Sequence, residues 1–92
     1  MNSSEFARAL DAAPAVRLTR RQWSVLGRGF EEAERRDTCL AGDLLIGRLD
    51  GRWLAVEEAS DKHLAVRKLK DRRAALAFVA ARMEAYDRLW DG

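Results

Sequence analysis

Ninety-two residues make a single domain, and 48% apolar side chains against 35% charged ones suffice for a modest core and argue against disorder. The net charge is only +2, so global charge supplies little attraction for nucleic acid or a membrane surface. One cysteine, Cys39, excludes an internal disulfide and a multi-cysteine metal site, and no apolar run nears membrane-spanning length.

Ser3 or Ser4 is placed to cap a short first helix over residues 3–13. Phe6, Ala9, Leu10 and Ala13 share one of its faces, and Pro14 stops it. Val16 and Leu18 then alternate with Ala15 and Arg17, as in a short extended segment. Thr19 with Gln22 three residues later makes a capping box, and Leu18 with Trp23 makes a hydrophobic staple. From there the spacing of Trp23, Leu26, Phe30 and Ala33 predicts a second helix over residues 19–36, weakened internally by Gly27 and Gly29. Residues 37–43 read as a loop.

Asp50-Gly51 lies between two apolar-rich runs, the signature of a hairpin with a two-residue turn. Strands are expected at 44–49, 52–58 and 63–69. The two-residue turn puts Leu45, Leu49, Leu54 and Val56 on one face, the expected core face. Leu44, Ile46, Arg48, Trp53, Ala55 and Glu57 fall on the other. Asp71 is placed to cap a last helix over residues 71–90, whose seam is Leu76, Val79, Met83, Tyr86 and Trp90, widened by Ala75, Phe78 and Leu89. The expected fold is α+β: a two-layer sandwich in the order α-α-β-β-β-α. A three-stranded antiparallel meander has one face covered by the second and last helices and the other open, or closed by the first helix against Trp53.

Catalytic constellations are scarce. The chain has one His and one Cys, and nothing in the spacing of Cys39 and His63 makes them a nucleophile and base. The expectation is therefore no enzyme, no cofactor and no metal.

Two surfaces remain. On the second sheet face Arg48 and Trp53 are cross-strand neighbours, residue types enriched at binding hot spots and able to stack by cation–π attraction. Tyr86 and Trp90 near the end of the last helix extend this candidate protein-binding surface. The other surface is the strand-to-helix junction 67–73, where Arg67, Lys68, Lys70, Arg72 and Arg73 gather five cations at a helix N-terminus, a pattern that suits phosphate. Residues 19–90 share with double-stranded-RNA-binding domains the expected order α-β-β-β-α and cations at the start of the last helix. Their loops lack that family's usual glycine and lysine pattern. The composite expectation is a small cytoplasmic domain without a secretory signal, bound to another protein or to a second copy of itself. Nucleic-acid binding through 67–73 is the alternative.

Overall fold

The computed structural model describes residues 1–37 and 43–91, apart from the side chains of 37 and 89–91. Its elements are α1 (Ser3–Ala12), β1 (Val16–Thr19), α2 (Arg20–Leu26), β2 (Glu31–Asp37), β3 (Asp43–Leu49), β4 (Arg52–Glu58), β5 (His63–Leu69) and α3 (Arg72–Asp91). The strands form one antiparallel sheet in the order β1-β5-β4-β3-β2. The chain is thus α+β, but its sheet has five strands rather than three. From residue 19 onward the order is α-β-β-β-β-α, which removes the architectural parallel with double-stranded-RNA-binding domains.

The central hairpin follows its sequence closely. Asp50 and Gly51 hold φ of 50° and 79°, the left-handed values that a tight two-residue turn requires. Leu45 pairs with Val56, Gly47 with Leu54 and Arg48 with Trp53. One face of the sheet carries Val16, Leu18, Leu49, Leu54, Val56, Leu64 and Val66, joined by Phe6 and Leu10 of α1. Trp23 and Leu26 of α2, and Phe30 after it, pack on the same cluster. Here α1 docks through Phe6 and Leu10 as its spacing predicts.

The opposite face carries Leu44, Ile46 and Ala55, covered by Ala75 and Val79 of α3 with Phe78, Met83, Trp53 and Leu69 around them. The sheet is therefore closed on both sides, giving three layers instead of two. The first helix does not cover Trp53; α3 does. The sequence carried a signal for this in Leu44-Leu45-Ile46, an unbroken apolar run typical of a strand buried on both faces. The buried line of α3 is also rotated from the expected seam: Leu76 is 41% exposed, and Ala75 is fully buried in its place.

The largest departure is the second helix. The capping box forms as expected, with the Thr19 hydroxyl accepting from Gln22 N–H and the Gln22 side chain accepting from Thr19 N–H. The helix then ends at Leu26 with Gly27 as its C-cap. The Trp23 ring lies against Gly27, where a Cβ would come within 2.8 Å of it. Gly29 turns the chain at φ 87°, and residues 31–37 pair with β3 as an edge strand. Two glycines cost a continuing helix about 2 kcal/mol together, and β3 offers the following backbone a full ladder instead. Phe30 keeps its core position by another route: its ring meets Trp23 edge-on, with centroids 5.4 Å apart. At the N-terminus the cap is Asn2, not Ser3 or Ser4, in a capping box with Glu5. Asp71 caps α3 as expected, accepting from Ala74 N–H at 2.8 Å.

Candidate functional site

Arg48 and Trp53 meet on the inner strands β3 and β4, at the end of the sheet closed by the Asp50-Gly51 turn, a hairpin corner with β2 on one side and β5 on the other. Their register is direct, and the Arg48 guanidinium carbon stands 5.8 Å from the centroid of the Trp53 ring. Trp53 is half-buried beside α3, whereas Arg48 is exposed. Glu31 of β2 is the next residue across the sheet from Arg48. A shallow open recess beside the pair is lined by Gly29, Glu31, Arg48, Asp50 and Gly51. The positive φ of Gly29 and Gly51 shapes its rim. The corner thus presents one guanidinium on an aromatic plane between two carboxylates.

Tyr86 is not brought to this corner. Trp53 pairs with Leu69, just ahead of α3, while Tyr86 lies fourteen residues beyond Arg72, about 21 Å along a helix rising 1.5 Å per residue. Tyr86 is half-buried, and the Trp90 side chain lies outside the described residues.

The basic junction is divided by strand alternation. Arg67 points to the α3 side and bonds Glu57 at 3.2 Å; Lys68 points the other way and bonds Asp11 of α1 at 2.6 Å. Lys70, Arg72 and Arg73 are exposed and make no ion pair among the described residues. The N-terminus of α3 already holds the Asp71 carboxylate, the position a phosphate would take.

Residues expected to lack catalytic spacing are placed as follows. Cys39 lies outside the described residues. His63 is half-buried in the β4–β5 turn, its Nδ1 3.2 Å from Ser60 Oγ. The same two residues exchange backbone hydrogen bonds, so the contact closes a turn. Among the described residues no group of three His, Cys, Asp or Glu side chains is arranged to hold a metal ion, and no helix is long and apolar enough to cross a membrane.

One polar cluster was not foreseen. Glu57, with its side chain only 13% exposed, accepts from Arg67 at 3.2 Å and from Arg82 Nη2 of α3 at 3.1 Å. Both guanidiniums also lie over the Phe78 ring, at 5.9 and 5.0 Å. Arg82 Nε is buried and has no hydrogen-bond partner among the described residues. The cluster ties α3 to the sheet. Its sequence separation, 57 to 67 to 82, carries no local pattern from which it could be read.

No family model matches the chain, and neither does any curated protein or solved structure.

Proposed function

We propose that the chain is a small non-catalytic domain that binds another protein, and that the Arg48–Trp53 corner is its contact. The observation that carries this reading is the exposed Arg48 guanidinium on the Trp53 plane beside an open recess. Both sheet faces are otherwise closed by helices, so the corner joins the two residue types most often found at interface hot spots. The flanking Glu31 and Asp50 carboxylates supply the mixed charge that orients a partner. Such a domain would act as an accessory factor, inhibitor or regulator. Nucleic-acid binding at 67–73 is less well supported. Two of its five cations are paired on opposite sides of the sheet, and Asp71 holds the helix N-terminus.

The test is Arg48→Glu. Arg48 is exposed and makes no ion pair among the described residues, so the variant should melt within a few degrees of the wild type. A protein captured from the native cell extract by the wild type should be lost with the variant. Equal capture by both chains would remove the corner from consideration. Capture of nucleic acid instead, abolished by salt and by neutralising Lys70, Arg72 and Arg73, would establish the alternative.

A further inference from the structure

We propose that β2 is the edge through which two copies of this chain join into one continuous antiparallel sheet. The strand is seven residues long and, among the described residues, pairs only with β3, which leaves its outer side as a row of backbone groups without a neighbouring strand there. The other edge, β1, is four residues long and carries a single charge, on Arg17. β2 reads Glu31-Glu32-Ala33-Glu34-Arg35-Arg36-Asp37, with acids at Glu31, Glu32 and Glu34, then the two cations Arg35 and Arg36, and a last acid at Asp37. Charges on an edge usually keep other strands away. Here their order makes the edge repel a parallel copy, which would set Glu31 on Glu31 and Arg35 on Arg35, and attract an antiparallel one.

The bulge selects the register. The pairing of β2 with β3 shifts between Glu32 and Glu34, so Ala33 is the extra residue. On the α3 side of the sheet lie Glu31, opposite Arg48, and Arg36, opposite Leu44; on the α1 side lie Glu32, opposite Gly47, and Arg35, opposite Leu45. Facing residues in an antiparallel pair must point to the same side. A two-fold axis between Ala33 and Glu34 meets that condition: it sets Glu31 against Arg36 and Glu32 against Arg35, twice over. Moving the axis by half a residue, onto Glu34, opposes Glu32 to Arg36 across opposite faces and stacks Glu34 on Glu34. One register alone satisfies both charge and facing, and it is the closed, isologous symmetry of a homodimer.

The ion pairs the strand makes within one chain do not block this. Arg35 reaches Glu32 at 3.0 Å and Asp43 at 3.1 Å, and Arg36 reaches Glu34 at 3.2 Å. Arg35, Arg36 and Glu32 have side chains 57%, 47% and 43% exposed, so these pairs are solvated and exchange readily for partners across the new ladder. The inference rests on the β2 edge; it shares only Glu31 with the Arg48–Trp53 reading, and its test reads self-association where that reading's test reads capture of another protein.

A charge-exchange experiment tests it. The wild-type chain should sediment as a dimer at about 100 μM, a concentration suited to an edge-to-edge contact of small area, and dissociate as salt rises. The double variant Glu31→Arg/Glu32→Arg should be monomeric, as should Arg35→Glu/Arg36→Glu. An equimolar mixture of the two should restore the dimer, because every facing pair is again of opposite sign. Circular dichroism checks that each variant is folded. Should either fail to fold, hydrogen exchange on the wild type decides: β2 amides should gain protection as concentration rises. A monomeric wild type, a dimer that survives either reversal, or a dimer with unchanged β2 exchange would overturn the proposal.

Discussion

Gly47 shows how much one absent methyl group decides. A Cβ there would stand 2.2 Å from the Glu31 carbonyl oxygen and 2.6 Å from the Phe30 ring. The first neighbour is backbone, so β2 would have to move. Gly47→Ala should destabilise the fold by about 1–3 kcal/mol, read as a lower denaturant midpoint, with β2 amides losing hydrogen-exchange protection first. A midpoint unchanged from wild type would show that β2 can shift freely. The hairpin residues around Gly47 were legible in the sequence because period-two alternation and an Asp-Gly turn are local signals. The reason for the glycine was not, because Phe30 and Glu31 reach it from a segment whose spacing reads as helix.

At the scale of elements, β2 and α1 behave oppositely. The Trp23, Leu26, Phe30 and Ala33 spacing mimics a helical stripe, and only the two glycines inside it warn otherwise. Tertiary pairing with β3 outweighed a pattern four residues deep. The placement of α1, by contrast, follows from Phe6 and Leu10, and one long-range contact secures it: Asp11 accepts from the Lys68 ammonium at 2.6 Å. That hydrogen bond, with the Lys68 charge, holds the Asp11 carboxyl below the ordinary aspartate range. A depressed carboxyl stabilises the fold above its unfolded pKa and loses that contribution as pH falls through its lower folded value. The stability difference between wild type and Asp11→Asn should therefore be present at neutral pH and be lost progressively as pH falls below the ordinary aspartate range. Urea midpoints measured across that range check it; a constant offset at every pH would exclude the Lys68 tie as its cause.

The whole molecule is held by a sheet with a separate apolar cluster on each face, and α3 is the sole cover of one of them among the described residues. Its attachment combines Ala75 and Val79 packing with the Glu57 carboxylate shared by Arg67 and Arg82. Glu57→Gln leaves two half-buried guanidiniums without their common anion. It should cost about 1–3 kcal/mol and loosen α3 ahead of the α1 side, so that helical amides after Phe78 exchange earlier than those of β5. Uniform loss of protection across both layers would mean that the cluster does not hold α3 in particular.

Local chemistry determined the central hairpin, the third strand of the meander, the extents of α1 and α3, two of the caps and the division of β3 and β4 into two faces. Each of these rests on alternation, turn geometry or a capping residue within a few positions. What covers each face, the conversion of residues 31–37 from helix to edge strand, the pairing of Lys68 with Asp11 and the union of Glu57 with Arg67 and Arg82 were decided only in three dimensions. All four depend on residues brought together from distant parts of the chain, where burial and ladder hydrogen bonds outweigh the preference of any short segment.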